Sequence, residues 1–349
     1  MLNVNPLNCI DFYKADHRRQ YPAGTELVVS NFTPRSGRHA NVANKNEIIF
    51  FGLQYFMQEF LIDTWESGFF DQPKEEVVQA YKRRMDTSLG VDAISVEHIA
   101  ALHDLGYLPI EIKALPEGSI VPVGVPCLTI HNTKPEFFWL TNYLETVLST
   151  YLWQACTSAT TAWNYRKLIN KYTEKTGSPT WFADWQCHDF SFRGMGSLQA
   201  ALVSGAAHLC FFKGTDTVPA IDFLEQYYGA DADKEIIGGS VPATEHSVMC
   251  MGMEENELDT FDRLITEIYP KGIVSIVSDT WDFWKVLTEY APALKDKIMA
   301  REGKVVFRPD SGDPVEILCG TTDVVMNRPM EEQKGAVEVL WDIFGGTTT

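Results

Sequence analysis

Five ionisable residues recur at near-equal spacing in this chain. Asp189, Asp216, His246, Asp279 and Asp310 are separated by 27, 30, 33 and 31 positions, and each follows a short apolar run. One strand–loop–helix unit takes about thirty residues of chain, so groups in phase with it fall on one rim of a parallel sheet. Ligands collect at that rim, at the carboxyl ends of the strands. The histidine lies at the centre of the series, in Ser240–Ser247, "SVPATEHS". An imidazole with a carboxylate behind it can serve as a general base, or as a nucleophile that accepts a phosphoryl group. Asp279, from "SIVSDTWD", is the expected partner. A lone histidine can equally be a satisfied structural residue.

Other stretches add groups suited to anions and paired hydroxyls. "HDFSFRGMGS" (188–197) brings Phe190, Arg193 and two glycines ahead of Ser197, which can cap the helix that follows. An amide-rich turn at a helix start suits a phosphate; the alternative is an ordinary strand-to-helix loop. "FFKGTDTVPA" (211–220) sets Asp216 between two threonines, where it is either a site residue or an N-cap. In "FRPDSGDP" (307–314), Arg308 offers a bidentate anion fork, Asp310 an acceptor for ribose hydroxyls, and Ser311-Gly312 a close backbone approach. Its plainer reading is a turn flanked by a salt bridge. Near the start, Lys14, Arg18, Arg19, Arg35 and Arg38 cluster in an otherwise acidic protein, as an anion site or as a solvated basic face. There is no Walker loop, no GxGxxG and no GxSxG.

The elements that must position these groups come in two styles. Residues 1–180 read as a mixed α+β domain: a strand-like "TELVVSNFTPR", two helical patterns, a small antiparallel sheet over 108–133, and long amphipathic helix from Glu136 to about Tyr172. Residues 181–349 read as βα repeats, with strands expected at "WFADWQC", "HLCFF", "EIIGG", "GIVSIV" and "KVVFRP", and "AVEVLWDIFGGTTT" as a final helix with a frayed tail. The predicted class is α/β, an incomplete barrel-like βα domain beside the mixed one. Five strands cannot close an eight-stranded barrel, so the sheet is open or the chain stops short of its complete fold.

Bulk properties narrow the function. A net charge of −18 argues against general nucleic-acid binding, which needs a basic surface. Seven scattered cysteines without a CxxC pair imply a reduced, cytoplasmic protein with no zinc site. The N-terminus lacks a secretory layout, and no apolar run approaches the ~18 residues of a membrane span. A soluble enzyme is expected.

Taken in order, "DFYKADHRRQYP", "FGLQYF", "HDFSFRG", "FKGTDTV", "SVPATEHS", "VSIVSDTWD" and "RPDSGDP" closely resemble the nicotinamide phosphoribosyltransferase family, from about residue 8 onward. The resemblance implies a type II phosphoribosyltransferase-like fold that joins nicotinamide to phosphoribosyl pyrophosphate, with Mg2+, in NAD salvage. It implies a homodimer with shared sites. Phe190 and a partner's Tyr13 would sandwich the pyridine ring, Asp216 would accept from the carboxamide, and Ser275 would line the same pocket. Arg193 and Arg308 would hold phosphates, Asp310 the ribose, and Arg35 would reach across the dimer. ATP would transiently phosphorylate His246, with Asp279 orienting it. No metal is expected on protein ligands alone. Two departures are Phe12 in place of a small polar residue and Ser191-Phe192 in place of Gly-Tyr; the family also continues well beyond 349 residues, so its Gly-Asp and Gly-Gly phosphate loops are expected to be missing. Nicotinate phosphoribosyl transfer, or a non-catalytic binding or assembly partner, are the alternatives.

Overall fold

A computed structural model describes residues 4–321 and 328–346 of the chain. The last three residues of the expected polar tail lie outside that range. The chain forms two compact units, Met1–Gly239 and Ser240–Thr349.

In the first unit the alternating apolar residues of 108–133 do build antiparallel sheet. Strands β1 (Val29–Phe32), β3 (Ile110–Ala114) and β5 (Leu128–Asn132) lie in the order β1-β5-β3, and β2 (Glu47–Ile49) pairs with β4 (Ile120–Pro122). Leu128 and Ile130, two apart on β5, turn to the core, while the residues between them are partly exposed. The two helical patterns, "FGLQYFMQEFLIDTW" and "KEEVVQAYKRRMD", are helical at Leu53–Tyr55 with Phe56–Thr64 and at helix α1 (Lys74–Leu89). Helix α2 (Glu97–Leu105) is an addition to those expected from the sequence, and α1 and α2 each end at a glycine. Phe50, Phe56, Trp65, Phe69, Tyr81 and Leu102 fill the core around them. The 32-residue helix α3 (Glu145–Thr176) buries Leu148, Leu152, Ala155 and Ala159.

The change of sequence style at residue 180 falls inside this unit. Helix α4 (Leu198–Leu209) and helix α5 (Pro219–Tyr228) place Val203, Ala206, Ala207 and Phe223 in one cluster with Ala155 and Ala159 of α3. Small alanines let these helices approach closely, so the first βα elements share a core with what precedes them.

Three of the five expected strands are corrected. "WFADWQC" opens as a 3-10 helix, Thr180–Trp185, and the strand is β6 (His188–Asp189). "HLCFF" is the end of α4, whose alanine-rich sequence and Ser197 cap carry the helix through Leu209; the strand β7 is Gly214–Thr215. "EIIGG" forms no strand and contributes one parallel bridge, Gly214 to Gly239. A short apolar run reads alike as a buried strand or a helix end. The other two appear as β8 (Lys271–Val277) and β9 (Glu302–Arg308), parallel over seven residue pairs.

The second unit packs Met249, Phe261, Leu264, Val274, Ile276 and Tyr290 around β8, with a smaller cluster joining Phe283 and Leu287 to Ala336 and Val339 of its last helix, Ala336–Phe344. Helices alternating with parallel strands make the protein α/β. All seven cysteines are free. Among the described residues no helix is long and apolar enough to cross a membrane.

Candidate functional site

Polar groups gather where parallel strands end, in each unit separately. In the second unit three extended segments lie side by side. Ser275 of β8 donates its N–H to Pro242 O at 2.9 Å, and Thr244 donates to Ser275 O at 2.9 Å, so residues 242–244 run parallel to β8. The Thr244 hydroxyl then accepts from Val277 N at 2.9 Å. His246, Asp279 and Asp310 follow the ends of these three segments by about two residues each, which brings them together.

His246 opens the helix His246–Gly252. Its Nδ1 lies 3.2 Å from the Thr280 hydroxyl and its Nε2 3.3 Å from Asp310 Oδ2. Asp279 Oδ1 is 4.0 Å from Nε2, beyond hydrogen-bond reach. The direct partners are therefore Thr280 and Asp310 rather than Asp279. Asp279 instead holds the next loop: Oδ2 accepts from Asp310 N at 2.9 Å, Ser311 N at 2.7 Å and the Ser311 hydroxyl at 2.6 Å. Burial alone would raise this carboxyl, but the Ser311 hydroxyl and the two backbone donors hold it below the usual carboxylate range. Its other oxygen is buried and has no partner among the described residues, and it faces the imidazole. Asp279 is thus the rigid wall against which Asp310, Ser311 and His246 are set.

Arg308, last residue of β9, donates Nη2 to Thr244 O at 2.7 Å, while its Nε is buried without a partner among the described residues. The guanidinium is tied to the segment that carries His246. Gly312 adopts φ +88°, and a Cβ there would also crowd the Ile317 side chain at 3.2 Å. Asp313, which sequence reasoning passed over, caps the next helix, Pro314–Cys319, through Val315 N and Glu316 N. Ser275 lies buried at the centre of β8.

In the first unit β6 and β7 pair in parallel, His188 opposite Gly214 and Asp189 opposite Thr215. Successive strand residues face opposite ways. Asp189 turns inward: it is buried, and it accepts from Ser191 N at 2.9 Å, the Thr217 hydroxyl at 2.6 Å and the Thr215 hydroxyl at 3.3 Å. Burial raises its carboxyl, and these donors more than reverse that. The expectation that Asp189 points onto the ligand rim is therefore corrected; it ties the strand ends together. His188 and Phe190 share the other direction, their rings 4.6 Å apart, and His188 Nε2 lies 2.7 Å from Asp216 Oδ1. Asp216 is not an N-cap, because the helix begins at Pro219 with Val218 in the cap position. His188 was missed in the sequence although alternation about Asp189 pointed to it.

Phe190 is 59% exposed and Tyr13 60%, and Arg193 and Arg35 are exposed. Arg35 lines a groove of ≈ 750 Å³ with Phe32, Asn142, Glu145 and Trp153. The expected basic cluster is partly spent: Lys14 is buried on Glu145 at 2.7 Å, and Arg19 pairs with Asp16 at 2.5 Å. Arg18, Arg35 and Arg38 remain on the surface. Among the described residues no group of three His, Cys, Asp or Glu side chains is placed to hold a metal.

Known proteins are similar over nearly the whole chain. The family model "Nicotinamide phosphoribosyltransferase, N-terminal domain" matches residues 5–112, and that of the "Nicotinate phosphoribosyltransferase (NAPRTase) family" matches residues 185–349. A nicotinamide phosphoribosyltransferase from Acinetobacter baylyi is 61% identical over 99% of this chain, which spans 69% of that protein. One from Xanthomonas campestris pv. campestris is 33% identical over 88% of this chain and 62% of its own length. A crystal structure of nicotinate-nucleotide pyrophosphorylase from Pyrococcus furiosus is similar at TM-score 0.47 and 17% identity, covering 84% of this chain and 56% of that one.

Proposed function

The chain belongs to the nicotinamide phosphoribosyltransferase family, and we propose that it forms nicotinamide mononucleotide and pyrophosphate from nicotinamide and phosphoribosyl pyrophosphate. The observation that carries this reading is the 61% identity over 99% of the chain. The N-terminal match to the nicotinamide family favours it over transfer to nicotinate.

The chemistry asks little acid–base work of the protein. The pyridine nitrogen of nicotinamide already carries a lone pair, so no base need deprotonate it. That lone pair forms a bond to the anomeric carbon as the bond to pyrophosphate breaks, and the departing electron pair goes to the pyrophosphate oxygen. What remains is alignment, and stabilisation of charge that develops on ring and leaving group. In the first unit, Phe190 supplies a face for the pyridine and Asp216 an acceptor for the carboxamide N–H. Tyr13 and Phe190 are both exposed, which leaves their faces open to a sandwich completed by a second copy, with Arg35 reaching the partner's phosphates. Ser275, on the strand beside the His246 segment, is assigned to the base by resemblance to the family alone.

Arg193 and Arg308 are the phosphate forks, and Asp310 with Ser311-Gly312 receives the ribose hydroxyls. Mg2+ would neutralise the departing pyrophosphate, and Asp310, whose exposed carboxylate accepts from no backbone donor among the described residues, would help hold it beside the substrate phosphates. His246 is the group that ATP phosphorylates: an imidazole nitrogen attacks the terminal phosphorus and ADP departs. Its two nitrogens, set between Thr280 and Asp310 with Asp279 behind, support an orienting cage for that role. A cytoplasmic homodimer completes the proposal.

Purified chain given nicotinamide and phosphoribosyl pyrophosphate, with and without ATP, tests it. Nicotinamide mononucleotide should form in both cases and faster with ATP. Product from nicotinate at equal or greater efficiency would favour the alternative substrate, and no product from either base would leave a binding partner.

A further inference from the structure

We propose that His188 is a specificity-determining positioning residue: its Nε2–H donates to Asp216 and fixes the carboxylate that selects nicotinamide. This rests on the reading of Asp216 as the carboxamide acceptor.

Three independent contacts hold the His188 ring in place. Nε2 lies 2.7 Å from Asp216 Oδ1. One ring edge leans on Phe190, with centroids 4.6 Å apart and planes 36° from parallel. The far side rests on bare backbone: a Cβ at Gly214 would stand 2.7 Å from His188 Nδ1 and 3.1 Å from Cys187 O. Glycine at 214 is therefore what lets the imidazole lie flat across β7 and reach Asp216, two residues further along. Its φ is not positive, so the requirement is for space and not for backbone freedom.

The imidazole thereby joins the two groups that would contact the base. It supports the aromatic face and restrains the acceptor at once. Losing the His188 bond gives a carboxylate that is 44% exposed more freedom to turn toward water, which weakens its hold on the carboxamide N–H and its repulsion of a nicotinate carboxylate. Restraint thus raises affinity for the amide and preserves rejection of the acid. His188 also forms one wall of a ≈ 420 Å³ cleft with Ser158, Thr161, Ser204 and His208, so a side chain of similar size and polarity fits there without repacking a closed core.

The test compares His188→Gln with His188→Asn in the full chain. The Gln amide nitrogen falls where Nε2 was, whereas the Asn nitrogen falls near Nδ1 and cannot reach Asp216. Both are polar, and thermal melts check that both fold. His188→Asn should raise KM for nicotinamide about tenfold with a much smaller change in kcat, and lower the nicotinamide-to-nicotinate preference by a similar factor. His188→Gln should recover most of both. Gly214→Ala, which displaces the ring while keeping it, should resemble His188→Asn and carries the test if either substitution prevents folding. Asn and Gln variants that are alike, or KM and preference within twofold of the parent in Asn and Gly214→Ala, would overturn the inference. If Asp216→Asn leaves the preference intact, the reading of Asp216 fails instead, whatever the His188 variants do.

Discussion

Charge at Asp216 should decide which pyridine the protein accepts, and Asp216→Asn isolates that charge because it keeps shape and polarity. Nicotinate would present a carboxylate where nicotinamide presents an amide. Two like charges ~4 Å apart repel by about 4 kcal/mol at an effective dielectric near 20, or about 2 kcal/mol near 40. Asp216 is 44% exposed in the free chain, which favours the lower figure; a bound base that sheds water moves it toward the higher. At 1.36 kcal/mol per tenfold, discrimination should lie between about 30-fold and about 1,000-fold. The amide adds a hydrogen bond to a charged acceptor, which the variant weakens but does not abolish. Asp216→Asn should therefore reduce the nicotinamide-to-nicotinate ratio of kcat/KM by at least ~30-fold, chiefly by raising the nicotinate term. Asp216→Ser should do likewise with a larger loss on nicotinamide. The assay is competition of the two bases for limiting phosphoribosyl pyrophosphate, with both mononucleotides quantified by chromatography. A ratio within twofold of the parent protein would refute the electrostatic reasoning.

His246→Gln should abolish the ATP-dependent increment in nicotinamide mononucleotide formation while ATP-independent product remains; acid-labile phosphate on the variant protein would contradict this. Asp189→Asn should destabilise the first unit by about 1–3 kcal/mol, because the amide cannot accept from both the Thr217 and Ser191 donors as the carboxylate does; urea unfolding should show an earlier midpoint. His98 is buried against Trp139, and burial, aided by the Arg18 charge, pushes its imidazole down to about 4 from an ordinary 6.5. The unfolded chain then takes up a proton below ~6.5 that the folded chain refuses until ~4. Stability falls as pH drops through that window, by about 2 kcal/mol between pH 7 and pH 5 from this residue. His98→Asn should flatten that part of the pH–stability curve, and an unchanged slope would count against the assignment.

Spacing alone located the second unit's cluster. His246, Asp279 and Asp310 each follow an extended segment at one unit's interval, and parallel pairing in register brings such positions to one end. The same spacing counted Asp189, and there it misled. A strand has two faces, and position along the chain is silent about which face a loop will cover; Thr215 and Thr217 draw Asp189 inward and leave His188 and Phe190 outward. Helix α4 absorbed the apolar run "HLCFF" because a cap and a run of alanines outweigh a short strand-like pattern once α3 offers a surface to pack on. Local sequence thus determined the antiparallel sheet, the long helices, the residue types of the site and the family's motifs. Tertiary structure alone decided which nitrogen of His246 meets Thr280, that Asp279 serves the 310–311 loop, and that His188 bonds Asp216. Those are distances between residues some thirty positions apart, set by how strands align and cores close, and no single stretch of chain contains them.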